Sequence, residues 1–102
     1  MRRRVIAEAE ADIEQARRFL NQQSSEVANR FFAELEEALE RMMEQPSSFP
    51  PLETLETDLP IRRVMLRKFP YIVVFKIRDE EVVVLAVPHH SRSLESWIDR
   101  QS

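Results

Sequence analysis

The period of the apolar residues changes once along this chain, and that change confines the fold. As far as Glu44 apolar side chains recur at helical spacing; from Ile61 they come in dense runs rich in β-branched and aromatic residues. Helices followed by strands predict the α+β class, with the helices gathered on one face of an antiparallel sheet. A length of 102 residues suits a single domain, 1–102, with one modest core.

The helical half resolves into two stripes. Ala9, Ile13, Ala16 and Leu20 mark a helix from about Glu8, which "NQQSS" interrupts. Ala28, Phe31, Leu35, Leu39 and Met42 mark a second, from about Glu26 to Glu44, with Phe32, Ala38 and Met43 widening its apolar face. Ser24 or Ser25 can cap its start, and Pro46 stops it. The pair predicts an antiparallel hairpin whose apolar side needs a partner layer; Phe31 and Phe32 read as core. Arg3 to Ala7 suits a short strand ahead of the hairpin. "PSSFPPLETLETDLP" reads as an ordered surface loop anchored by Phe49, Leu52 and Leu55.

Three strands follow, Ile61 to Lys68, Tyr71 to Ile77 and Val82 to Val87, predicting an antiparallel meander. "RDEE" is short enough for a hairpin turn, and Pro70 marks the bend before the middle strand. A last helix is predicted from about Leu94 to Arg100, capped by Ser93. The full order is β-α-α-β-β-β-α. Alternation puts Tyr71, Val73, Phe75 and Ile77 on the face turned to the hairpin, and Ile72, Val74, Lys76 and Arg78 on the other. That far face mixes apolar centres with cations, the pattern of an interaction surface.

Composition removes several chemistries. With no glycine, phosphate-cradling loops of the GxGxxG or P-loop kind are excluded. With no cysteine, disulfides and thiolate zinc sites are excluded. No apolar run reaches the ~20 residues of a membrane span, so a cytoplasmic protein is the simplest reading. The net charge of −3 is unevenly spread: Met1 to Pro60 carries seven basic and thirteen acidic residues, Ile61 to Ser102 eight basic and five acidic. An anionic partner should therefore meet the second half. Glu34, Glu36, Glu37, Glu40 and Glu44 read as a solvated helix face. The opening "RRR" suits either nonspecific phosphate contact or plain solvation.

"VPHHSR" holds both histidines. Strand alternation would send His89 and His90 to opposite sides, which argues against a shared substrate or metal. His89 is expected to bond the strand end to the final helix. Arg92 can pair with Glu95 or contact a phosphate or acidic surface. Trp97 either packs on the sheet or anchors a partner.

Arg63 with Leu66, Phe69-Pro70-Tyr71, the apolar strand to Val87, then His89, Arg92, Trp97 and Arg100 together resemble the second half of the RelE/ParE toxin superfamily of bacterial toxin–antitoxin systems. "AEADIEQARRFL" and "ANRFFAELEEALERMMEQPSSFP" resemble that family's helical hairpin, so the resemblance spans nearly the whole chain. The FPY element looks most like the ParE, or plasmid-stabilisation, branch. The resemblance implies a small toxin held inactive by a cognate antitoxin in a hetero-oligomer with it, and needing no cofactor. ParE-like members are expected to poison DNA gyrase by protein binding; RelE-like members cut mRNA on the ribosome without a metal. Carried over residue by residue, the RelE cations fall on Arg63 and Arg92, which keep a charge, and on Met65 and Ile72, which do not. The tyrosine position falls near Trp97 or Ile98, neither of which titrates. The resemblance therefore favours a ParE-like contact surface of Arg63, Met65, Arg67, Ile72, Arg92, Trp97 and Arg100. The rival readings are a nuclease using Arg63, His89, His90 and Arg92, and a degenerate toxin that only binds its antitoxin.

Overall fold

Ser24 decides where the second helix begins. It takes an extended backbone, and its Oγ accepts a 3.1 Å hydrogen bond from the Val27 N–H, satisfying one of the donors a helix start leaves open. The computed structural model describes residues 1–51 and 61–90. In chain order these form β1 (Arg2–Val5), α1 (Ala7–Asn21), α2 (Ser25–Glu44), a single 3-10 turn (Pro46–Ser48), β2 (Ile61–Met65), β3 (Ile72–Arg78) and β4 (Glu81–Ala86). The predicted helix Leu94 to Arg100 and the loop anchors Leu52 and Leu55 lie outside the described residues.

The sheet has the order β1-β4-β3-β2. β2, β3 and β4 form the antiparallel meander that the sequence predicts. The first strand departs from the all-antiparallel expectation: β1 runs parallel to β4, from Arg2 opposite Glu81 to Val5 opposite Val84, so the sheet is mixed. The reason lies in the connection. The helical hairpin carries the chain from β1 at one edge to β2 at the other, and two antiparallel steps then bring β4 back beside β1 in the same direction. The Ile6 N–H donates to the Val84 carbonyl at 3.2 Å, carrying the pairing one residue past β1.

Two local features aim the β3–β4 hairpin. Asp79 turns the chain at φ 57°, a left-handed conformation that Asp tolerates better than most residues. Val74 pairs with Ala86 but Phe75 pairs with Val84, leaving Leu85 as an extra residue in β4. Such a bulge bends and twists the strand that carries it.

Phe31 is the centre of the packing between helix and sheet. It is fully buried and meets Phe69 and Tyr71 edge-on, with ring centroids 5.8 and 5.2 Å away. Phe49 meets Phe75 in the same way at 6.0 Å. The Tyr71, Phe75 face therefore looks toward the hairpin, as alternation predicts. Phe32 is a correction to the reading of both phenylalanines as core: it is 36% exposed. Adjacent helix positions diverge by about 100°, so only one of the two can point inward. α1 is tied to the sheet separately, because Asp12 Oδ2 accepts the Val87 N–H at 3.0 Å.

β2 stops at Met65 instead of reaching Lys68. The chain leaves the sheet there to meet α2: the Lys68 N–H donates to Glu34 Oε1 at 2.8 Å, and Arg67 Nε donates to both Glu37 carboxylate oxygens at 3.1 and 3.0 Å. Glu34 and Glu37, read from the sequence as solvated, are thus partners of the turn after β2.

Candidate functional site

Residues opposite each other in a ladder share a face, so the register assigns the far side of the sheet directly. Ile61, Arg63 and Met65 on β2 face Lys76, Val74 and Ile72 on β3. Lys76 and Arg78 in turn face Val83 and Glu81 on β4, beside which lie Arg4 and Arg2 of β1. The composition matches the sequence reading of apolar centres among cations. The exposure does not. Ile61, Ile72, Val74, Val83 and Ala86 are all buried, and the open positions sit around them.

This splits the predicted contact residues. Met65, at the end of an edge strand, is 52% exposed, and its carbonyl accepts a 3.0 Å hydrogen bond from Arg41 Nη2. Arg63 is half-buried. Arg67 is exposed at the rim, forked onto Glu37. That contact comes first, with Arg41 second, in holding the Glu37 carboxyl below its ordinary range. Ile72 is a correction: it is only 3% exposed and cannot serve as a contact residue. Ile72 lies at the start of a strand paired on both edges, whereas Met65 lies at the end of an edge strand. Arg92, Trp97 and Arg100 lie outside the described residues.

The two histidines also differ from expectation. Their rings stack, with centroids 5.0 Å apart and planes 27° from parallel. β4 ends at Ala86, so strand alternation no longer governs positions 89 and 90. The His89 ring instead meets Tyr71 edge-on at 5.3 Å, and the His90 N–H donates to the Pro70 carbonyl at 2.8 Å. The FPY bend thereby holds the histidine pair in place. Among the described residues, no three His, Cys, Asp or Glu side chains come together in a way that could hold a metal ion, and no helix is long and apolar enough to cross a membrane.

Sequence reasoning missed two features. One is a groove of about 480 Å³ between α1 and the end of β4, lined by Asp12, Gln15, Phe19, Tyr71 and His89 among others. Its signal was Phe19, an aromatic residue standing off the Ala9, Ile13, Ala16, Leu20 stripe and 57% exposed. The other is the gathering of Arg2, Arg4, Lys76 and Arg78 near the β3–β4 turn. Burial first, then the nearby charges of Arg78 and Arg4, pushes the Lys76 amine below its ordinary range.

A helical hairpin on one face of a small mixed sheet, with cations around the apolar centre of the other face, is an α+β architecture. The fold matches a solved structure described as the chromosomal ParDE TA system from P. aeruginosa, with a TM-score of 0.73, 16% identity, and coverage of 87% of this chain and 95% of that one. Residues 4–94 match the family described as ParE toxin of type II toxin-antitoxin system, parDE. The chain belongs to the ParE toxin family. No curated protein matches its sequence significantly.

Proposed function

We propose that this ParE-type toxin acts by binding DNA gyrase and is neutralised by a cognate antitoxin that docks on the same exposed rim. The observation that carries the reading is the state of the far face at positions 65 and 72. RNA cleavage without a metal needs cations around the developing phosphorane charge. Here those positions hold an exposed thioether and a buried alkyl chain. A surface with Met65 open and Arg63 and Arg67 beside it suits protein contact, in which an apolar anchor supplies affinity and the charged rim supplies orientation. A cytoplasmic location goes with this reading.

The stacked pair of His89 and His90 favours the second reading, a ribosome-dependent nuclease, because imidazole is the side chain most often used for general acid–base catalysis. One experiment separates the two. Purified protein is assayed for inhibition of gyrase supercoiling and, in parallel, for mRNA cleavage on translating ribosomes. Gyrase inhibition without cleavage is the expected result. Cleavage that a His90→Ala variant loses, with supercoiling untouched, replaces the reading by the nuclease. Antitoxin binding with neither activity leaves a degenerate toxin.

A further inference from the structure

The chain between β2 and β3 is held from two sides. On the inner side Leu66 is buried, and half-buried Phe69 meets Phe31 edge-on. The Leu66 N–H donates to the Tyr71 carbonyl at 3.1 Å, closing residues 66–71 into one turn. On the outer side Glu34, Glu37 and Arg41 of α2 grip the same stretch. Glu34 Oε1 accepts the Lys68 N–H at 2.8 Å. Glu37 takes Arg67 Nε on both carboxylate oxygens, at 3.1 and 3.0 Å, and also accepts Arg41 Nε. The same Arg41 guanidinium donates through Nη2 to the Met65 carbonyl at 3.0 Å. Positions 34, 37 and 41 follow the i, i+3, i+7 spacing, so one face of α2 carries all three.

The end of an edge strand is ordinarily where a sheet loosens, because half of its backbone groups have no strand to pair with. Met65 stands at such an end with its side chain 52% exposed, yet every one of these contacts lands on Met65, Arg67 or Lys68. Exposed ion pairs of this kind add little to global stability. What they fix is local geometry. We propose that Glu34 and Glu37 are positioning residues: through Lys68, Arg67 and Arg41 they hold Met65 to Lys68 in one arrangement before a partner arrives. An edge already ordered gives up less side-chain and loop freedom on binding, so the same contacts yield a tighter complex. The functional half of this inference rests on the reading of Met65 as a contact residue; the structural half does not.

Amide hydrogen exchange of the purified protein, resolved by NMR, reads the positioning directly. Lys68 is exposed, and its N–H has one acceptor among the described residues, Glu34. Glu34→Ala should speed exchange at Lys68 roughly tenfold or more, whereas Glu34→Gln keeps an acceptor oxygen and should restore most of the protection. Glu37→Ala releases Arg67 and Arg41 together and should move the Met65 methyl signal toward its random-coil position. Glu40→Ala, an exposed acid on the same helix, should change neither readout. The urea midpoint should move little in every variant, because water replaces exposed contacts in the global balance. Gyrase supercoiling is the second arm: the Glu34→Ala, Glu37→Ala double variant should need about fivefold more protein for half inhibition. Unchanged Lys68 exchange with an unchanged Met65 signal overturns the proposal. So does a double variant that loses protection yet inhibits gyrase as the parent does, which would make the contacts structural only. A parent that leaves supercoiling untouched fails the gyrase reading instead, and the exchange arm alone then decides the positioning.

Discussion

Asp12 Oδ2 accepts the backbone N–H of Val87 across 3.0 Å, linking the middle of α1 to the end of the central strand. Val87 is 2% exposed, so its N–H has no solvent to fall back on. Removing the acceptor strands a buried donor, at a cost of about 1–3 kcal/mol. Asp12→Ala should lower unfolding stability in urea by that amount. Asp12→Asn retains an acceptor oxygen and should cost clearly less. Equal losses would mean that the carboxylate charge, not the hydrogen bond, matters.

The two adjacent phenylalanines of α2 should respond unequally. Phe31→Ala empties a site walled by Phe69 and Tyr71 and should cost about 3–5 kcal/mol, whereas surface-facing Phe32→Ala should cost about 1 kcal/mol or less. Denaturant midpoints at a common slope measure both.

The far face predicts a contrast between neighbours across one ladder. Met65→Glu should leave the domain folded and weaken the antitoxin complex, read by calorimetric titration. Ile72→Glu, directly opposite but buried, forces a carboxylate into the sheet interior and should unfold the domain or cost more than ~3 kcal/mol. A stable Ile72→Glu protein would show that this part of the sheet is open after all.

Acid should weaken the protein through Glu14. Arg17, and after it Arg18, lowers its pKa from 4.5 to about 2 in the folded state. A carboxylate with a depressed folded pKa contributes stability that is complete above the unfolded value and disappears as pH falls through the folded one. The melting-temperature difference between the parent and Glu14→Gln should therefore be steady above about pH 5 and vanish toward pH 2. A difference that persists at pH 2 would rule out the ion pair as its source.

Lys76 carries the opposite sign. Its amine is depressed from 10.5, by burial first and then by Arg78 and Arg4, so its charge opposes folding at neutral pH. The penalty is present below the folded pKa and is relieved as pH rises past 10.5. Lys76→Met should thus raise the melting temperature at pH 7, and the gain should shrink at alkaline pH.

The sequence alone determined the elements and the class of fold, because the signals for both are local. Period 3.6 in Ala28, Phe31, Leu35 and Leu39, the cap at Ser24, the stop at Pro46 and the alternation in Tyr71, Val73 and Phe75 all depend on neighbours in the chain. Phe69-Pro70-Tyr71 and the strands around it were enough to suggest the family. Tertiary structure decided what depends on partners distant in sequence. β1 joins β4 in parallel because the hairpin delivers the chain to the opposite edge and the meander returns to β1 on its third strand, which no pattern within "RRRV" could encode. Ile72 is buried and Met65 open although the two face each other across one ladder and have the same apolar character. His89 stacks on His90 because β4 ends three residues earlier and the Pro70 carbonyl captures the next N–H. The gathering of Arg2, Arg4, Lys76 and Arg78 exists only once β1, β3 and β4 are assembled: Arg4 and Lys76 are 72 positions apart in the chain and two strands apart in the sheet.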